Sequence, residues 1–162
     1  MSTEQYLRYP SLSGGSSSAN VAFLAYAHLS QTIPNFTITN VVLDRALYNT
    51  GGYFDTSTYT FTPKVSGWYF VSFNLNWLLP TNGSTGGAYI YKNGASTAQA
   101  IQSIQPNLYL CQSVNTYTFM NGSTDYLNVY ASITGNGGAA LDIDVGQQVT
   151  YFYSYLVLQS SS

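Results

Sequence analysis

VVLDRALYNTGGYFDTSTYTFTPKVSGWYFVSF, residues 41–73, is the stretch that decides the fold. Aromatic side chains run through it, and it holds four of the few charges in a chain with six acidic and four basic residues. Asp55 and Ser57 are typical of turns in which side chains bond to the local backbone. Pro63 stands where one strand is expected to end, and Gly67 where the next begins. We therefore expect the charges to mark turns and the rings to fill strands; the charged residues are Asp44, Arg45, Asp55 and Lys64.

Alternation with a period of two continues outside this stretch and indicates β-strands. The side chains predicted to face the core are Tyr69, Val71, Phe73, Leu75 and Trp77, then Leu127, Val129, Ala131 and Ile133, then Phe152, Leu156 and Leu158. Between the strands lie Asn-Gly pairs, which tolerate positive φ and mark tight turns between antiparallel strands. Helical spacing is nearly absent. The pattern predicts an all-β sandwich or jelly roll.

Composition excludes several functional classes. Charged residues make up 6% of the chain, against roughly 25% in an ordinary globular domain, and the net charge is −2. With only four basic residues, the chain has little positive charge to bind a polyphosphate backbone, so we predict no binding to nucleic acid. Cys111 is the single cysteine, which excludes an intrachain disulfide and a multi-cysteine metal site. No apolar run reaches the roughly 18 residues of a membrane span.

The chain divides into one domain and two short ends. Residues 1–18 finish in a Gly/Ser run and are expected to form a flexible attachment segment, residues 19–159 the jelly roll, and residues 160–162 a disordered tail. The start of the chain lacks the basic and apolar regions of a secretory signal. Its aromatic and arginine side chains are typical of interface anchors. We expect attachment to a partner through Tyr6, Leu7, Arg8 and Tyr9.

Catalytic and metal sites find little support. His28 is the only histidine, and no orienting partner for a catalytic base is evident. Cys111 lies between apolar neighbours and is expected to be a buried, inert thiol. Asp142 and Asp144 stand two residues apart, a spacing that suits either Ca²⁺ or a charged sheet edge that resists aggregation; we favour the edge. We therefore predict a protein that is not an enzyme and has no cofactor.

A tyrosine stripe gives the clearest sign of an interaction surface. Tyr151, Tyr153 and Tyr155 share one strand face, opposite the expected core side. Tyrosine is enriched at interfaces because it buries a large ring and still offers a hydroxyl. Two interpretations remain open, a contact between copies of the chain and an outer face that stacks on sugars.

Several motifs in the expected order resemble the globular head of the complement C1q family, whose jelly roll is similar to that of the tumour necrosis factor ligands. The motifs are VAFLAYAH at 21–28, Leu43-Asp44, Asn49, Phe54-Asp55, Phe61, GWYF at 67–70, AYIYKNG, STDYLNVYAS and YSYLVL, with departures from the family pattern at Ser66 and Tyr155. The resemblance covers roughly residues 20–158. No Gly-X-Y collagen stalk precedes it.

The resemblance implies a jelly roll of about ten antiparallel strands that forms a homotrimer, works by binding and has no enzymatic activity. It also implies an inner sheet facing the trimer axis, and we expect a trimer interface of Asn128, Tyr130, Tyr151, Tyr153 and Tyr155. Family heads often bind calcium, but no acidic cluster here transfers, so we predict no metal ligands.

The expected role is a phage or microbial structural and recognition protein. We favour a virion surface component, as a fibre tip, spike or capsid decoration, that binds a host-surface carbohydrate or protein and is anchored to a neighbouring virion protein. The alternative is a microbial secreted or cell-surface adhesion module that binds carbohydrate.

Overall fold

The computed structural model describes residues 20–80 and 83–160, and their regular structure is almost entirely β. The predictions for residues 1–18 and for Ser161 and Ser162 lie outside the described residues. Thirteen strand segments are present in the described part: β1 Ala22–Tyr26, β2 Thr32–Ile33, β3 Thr39–Asn40, β4 Arg45–Asn49, β5 Phe54–Asp55, β6 Thr60–Phe61, β7 Gly67–Trp77, β8 Ser84–Lys92, β9 Ala95–Ile104, β10 Leu110–Met120, β11 Leu127–Gly135, β12 Leu141–Asp142 and β13 Tyr151–Gln159. Two single turns of 3-10 helix lie at Thr50–Gly52 and Asn136–Gly138. No helix in these residues is long and apolar enough to cross a membrane.

Two antiparallel sheets form the sandwich. The five-stranded sheet has the order β10-β7-β13-β1-β4, and the six-stranded sheet has the order β5-β6-β11-β8-β9 with β3 beside β11. The two main paths use ten strands, and β2 pairs separately with β12. This arrangement confirms the predicted jelly roll of about ten strands.

The quoted stretch folds as its turns predict. The backbone N–H and the hydroxyl of Ser57 both donate to Asp55 Oδ1, at 2.8 and 2.6 Å, and so close the turn between β5 and β6. Asp44 accepts a bond of 2.8 Å from the backbone N–H of His28. Lys64 Nζ donates to the carbonyl of Ser123 at 2.9 Å. The charges therefore hold strand ends and loops, as expected.

Aromatic rings fill the space between the sheets. Phe23 of β1 has ring centroids of Phe54, Phe61 and Phe152 at 4.8, 4.5 and 4.9 Å. Pairs at such distances contribute roughly 0.5–1.5 kcal/mol beyond the area they bury. The predicted core sides of β7 and β11 are confirmed, because all nine of their side chains are completely buried.

Two residues do not lie where the sequence predicted. The pairing of β13 with β7 shifts register between Leu156 and Leu158, so Leu158 is exposed and its predicted core position is wrong. Cys111 is also exposed, because on β10 its neighbours Leu110 and Gln112 face inward. The prediction of a buried thiol followed its apolar neighbours and ignored the alternation of the strand.

The sandwich has two distinct ends. At the terminal end, defined by Val21, Ser66, Gly67 and Ser160, the N–H of Leu156 donates to Val21 O and that of Ser160 to Ser66 O, both at 2.9 Å. At the opposite, loop end, Trp77 pairs with Leu110, and the connections at 78–80, 105–109 and 136–150 come together. The described chain therefore begins at the terminal end.

Candidate functional site

The outward side of the five-stranded sheet is covered by aromatic rings from β7, β10 and β13. We call this surface the aromatic face; it consists of Trp68, Phe70, Tyr117, Phe119, Tyr151, Tyr153 and Tyr155. Alternation produces it, because Tyr69, Val71 and the other intervening side chains of β7 lie in the core. Strand register places Phe70 opposite both Tyr117 and Tyr155, so rings from three strands meet.

Phe70 is the centre of this surface. Its ring centroid lies 5.3 Å from Tyr117, 5.4 Å from Tyr155 and 6.0 Å from Tyr153. Trp68 and Phe119 form a second pair at 5.8 Å. These rings pack in T-shaped or tilted pairs along the sheet and leave their outer sides open, with Tyr117 62% and Trp68 48% exposed. Contiguous exposed apolar surface of this kind marks interaction sites.

The aromatic face is uncharged. The sequences of β7, β10 and β13 contain no Asp, Glu, Lys or Arg. Burial, and secondarily the nearby Tyr153, raise the pKa values of Tyr48 and Tyr151 above the ordinary tyrosine value. The hydroxyl groups of these two tyrosines are therefore neutral donors and acceptors at physiological pH. Such a surface can be buried against another neutral surface without the cost of desolvating ions.

The predicted stripe is divided between the two sheets. Tyr151, Tyr153 and Tyr155 lie together on β13, as expected, and their role in a trimer interface stays a prediction. Placing Asn128 and Tyr130 beside them is wrong, because β11 pairs with β8, β6 and β3 of the six-stranded sheet. Tyr130 instead packs on Tyr91, with ring centroids 4.5 Å apart, and Asn128 Nδ2 donates to Thr60 Oγ1 at 2.8 Å.

Sequence reasoning missed the other half of the aromatic face. Trp68, Phe70, Tyr117 and Phe119 were not proposed as interface residues. The available signal was the same alternation that identified the core, since GWYFVSF and NTYTF each place rings on both sides of a strand. Which strands are neighbours is the additional information that joins these rings into one surface.

The remaining candidates do not assemble into a reactive centre. His28 is exposed, and its Nδ1 lies 3.7 Å from Asp44 Oδ2. Asp142 accepts a hydrogen bond from Thr32 Oγ1, and Asp144 Oδ1 accepts one from the N–H of Val145 at 2.9 Å. Within residues 20–80 and 83–160, no three His, Cys, Asp or Glu side chains are grouped as metal ligands would be.

Known proteins place the chain in a family. The sequence model of the C1q domain matches residues 22–157. The chain belongs to the C1q domain family. Domains of this family are generally recognition modules without enzymatic activity. No curated protein sequence matches the chain.

Solved structures with the same fold are distant in sequence. The globular domain of zebrafish complement 1qA shares 14% identity at a TM-score of 0.61, covering 86% of this chain and 99% of that chain. Murine APRIL at pH 5.0 shares 10% identity at a TM-score of 0.64, and the match covers 85% of this chain and 99% of that chain. Eiger TNF from S. frugiperda shares 9% identity at a TM-score of 0.62, and the match covers 90% of this chain and 97% of that chain.

Proposed function

We propose that this protein is a homotrimeric recognition module on the surface of a virus particle, as a fibre tip, spike or capsid decoration. The observation that carries the homotrimer is the aromatic face. In a single copy it leaves a broad uncharged surface of rings in water, which soluble monomers rarely do. Three copies of the same chain bury it symmetrically, and the family resemblance supports that assembly.

A second copy suits this surface better than an unrelated charged partner. The three strands that carry it have no charge with which to select a charged protein, and aromatic side chains are enriched at the centres of interfaces. The exposed rings Trp68, Tyr117 and Tyr155 are the proposed anchors. Asn128 and Tyr130 belong to the other sheet and are not part of this proposal.

The position on a particle is supported by composition and by the two ends of the sandwich. A surface of uncharged polar groups and tyrosine suits an interlocked structural assembly. The described chain begins at the terminal end, beside Val21, and we propose that segment 1–18 holds the trimer on a neighbouring virion protein from that end. The loop end then points away from the attachment and is free to meet a host-surface ligand.

The assembly is tested by light scattering coupled to size exclusion at micromolar concentration. We expect about three times the chain mass of 17.7 kDa. Tyr155→Asp should shift the protein toward monomer, because an unpaired carboxylate buried in the contact costs several kcal/mol. The matched control is Tyr109→Asp in the loop 105–109, where the tyrosine is 72% exposed and lies off the aromatic face; this variant should stay trimeric.

A monomeric wild type, or an unchanged trimer in Tyr155→Asp, contradicts the proposed interface. The location is tested with gold-labelled antibody against the purified protein. Labelling of virus particles supports the virion role. Labelling of a microbial cell surface instead supports the alternative, a secreted or cell-surface adhesion module.

A further inference from the structure

A groove of about 460 Å³ opens on the six-stranded sheet at the loop end, away from the aromatic face. Its volume lies within the roughly 300–1,000 Å³ range of small-molecule sites. The lining includes Phe36, Thr85, Ser103, Gln105, Thr134 and Gly135, and none of the lining residues is charged. The groove therefore offers one aromatic ring and several neutral polar groups.

Phe36 occupies an unusual position. Its φ of 60° lies in the left-handed region, which is a strained conformation for a bulky side chain. Its N–H donates to the carbonyl of Ile133 at 2.8 Å, and the N–H of Thr37 donates to Pro34 at 3.3 Å, so the backbone is held there. Yet the ring is 78% exposed, which means that packing does not compensate the strain.

Tyr59 provides the contrast within the same chain. It has a similar φ of 58°, but its side chain is half-buried. The other positive-φ residues with side chains are Asn93 and Asn107, and asparagine tolerates this region. Phe36 is thus the described residue in which a strained backbone presents a large ring to solvent, and residues held in this way concentrate at ligand-binding sites.

Hydroxyl groups form the wall beside the ring. Strand register places Thr85 directly opposite both Thr134 and Ser103, so the three side chains form a row across β11, β8 and β9. Core residues flank this row, since Ile133 and Ile104 are buried. The row therefore faces outward into the groove. Thr134 Oγ1 donates to the carbonyl of Thr85 at 3.4 Å and can still accept a hydrogen bond, whereas the hydroxyls of Thr85 and Ser103 can both donate and accept.

We propose that this groove binds a neutral carbohydrate, with the C–H face of a sugar ring on Phe36 and its hydroxyls on the row Thr134, Thr85 and Ser103. This inference rests on the proposed recognition function and names its ligand class. The negative face of an aromatic ring attracts weakly positive C–H groups. The uncharged lining gives no counter-charge to sialylated or sulfated glycans. A peptide with charged ends is disfavoured for the same reason.

The groove stays open in the proposed trimer because it lies on the other sheet. Each trimer then presents three equivalent grooves at the loop end. Weak binding at a single site is strengthened by roughly 10²- to 10⁴-fold when several sites engage one surface. A low-affinity neutral sugar site is therefore sufficient for attachment to a glycan-coated cell.

The test uses the full-length protein on an immobilised array of neutral, sialylated and sulfated oligosaccharides. The wild type should bind neutral glycans, and Phe36→Gly should reduce that binding about tenfold or more. Glycine adopts φ near 60° without strain, so the melting temperature of Phe36→Gly should be no lower than that of the wild type. Thr134→Val, which removes one hydroxyl, should give a smaller loss. The control Tyr109→Ala removes an equally exposed ring at the same end and should bind as the wild type does.

Binding to charged glycans alone, binding to no glycan, or full binding by Phe36→Gly overturns the sugar site. An equal loss in Tyr109→Ala also overturns it, because it makes the effect nonspecific. The mass of each variant, measured by light scattering, reports separately on the trimer. A trimer that binds no sugar refutes this inference only, whereas a monomer that still binds neutral glycans refutes the assembly only.

Discussion

Gln112 joins the two sheets through a buried polar contact. Its Oε1 accepts a bond from Trp77 Nε1 at 2.7 Å, and its Nε2 donates to the carbonyls of Gly86 and Ala100 at 2.9 Å. Gln112→Leu would leave the indole N–H and two carbonyls without this partner. Each unsatisfied buried group costs about 1–3 kcal/mol, so for the three groups we expect a loss of about 3 kcal/mol or more in the free energy of unfolding, measured by denaturant titration.

The control for Gln112→Leu is Gln99→Leu, which alters an exposed glutamine on β9. It should change the free energy of unfolding by about 0.5 kcal/mol or less, as surface substitutions usually do. Equal effects in the two variants would show that the buried contact does not stabilise the sandwich.

Single residues were predictable where alternation alone decides their side of a strand. Tyr69 and Trp77 follow from spacing, and both lie in the core. The prediction that Cys111 is buried was wrong, because it followed the apolar neighbours of the residue and not the alternation of the strand. The left-handed backbone of Phe36 has no local signal, since Asn-Phe-Thr does not resemble a positive-φ sequence and the conformation depends on a distant bond to Ile133.

Asp125 connects two loops at the terminal end of the sandwich, residues 92–95 and residues 120–126. One carboxylate oxygen accepts a bond of 2.8 Å from Asn93 Nδ2, and the other lies 2.9 Å from both Lys92 Nζ and the N–H of Asn121. Burial by itself raises the pKa of Asp125, but the bonds from Asn93, Lys92 and Asn121 outweigh it and lower the pKa overall. Asp125→Asn should therefore reduce stability at neutral pH, because the amide has one acceptor oxygen where the carboxylate uses two and has no charge to pair with Lys92.

The pH dependence of this contact has a definite sign. A lowered pKa in the folded state stabilises the protein fully above the unfolded value of about 3.9, and this contribution is lost as the pH falls through the folded pKa. Urea titrations should thus show a constant advantage of wild type over Asp125→Asn between pH 7 and 5. The advantage should shrink at pH 3 and below; one that persists unchanged at pH 2 would contradict this role.

The alternation made the strands predictable, but it did not predict which strands pair with each other. The alternation of β11 is the same as that of β13, and both have a buried apolar side and an outward tyrosine side. Nothing in such a pattern tells which sheet the strand joins, so Tyr130 was assigned to the wrong surface. The register shift near Val157 is also set by pairing, because β13 continues along β7 after its core side has ended at Leu156.

At the scale of the whole molecule, the two sheets have outward sides of different chemistry. The five-stranded sheet presents the aromatic face on β7, β10 and β13, which carry no charged residue, and we assign this face to contacts between copies. The six-stranded sheet presents the half-buried Tyr91 and Tyr130 together with the hydroxyl row of the groove. The family motifs made the jelly roll predictable, whereas this division required the strand order.

Residues 1–18 are the proposed attachment segment, and the jelly roll should not need them to fold. The jelly roll from Val21 onward is closed by its own contacts, since Phe23 packs on three rings and the N–H of Leu156 bonds to Val21 O at 2.9 Å. A chain beginning at Ala19 should therefore keep the trimer mass and the melting temperature of the full protein. It should fail to join virus particles, because it lacks Tyr6, Leu7, Arg8 and Tyr9, whose aromatic and arginine side chains are typical interface anchors. Three copies held by one trimer turn weak single contacts into stable attachment. Gold-labelled antibody on purified particles measures this, and Arg8→Ala with Tyr9→Ala in the full-length chain should reproduce the loss. Normal incorporation of the shortened chain would mean that the jelly roll itself makes the attachment.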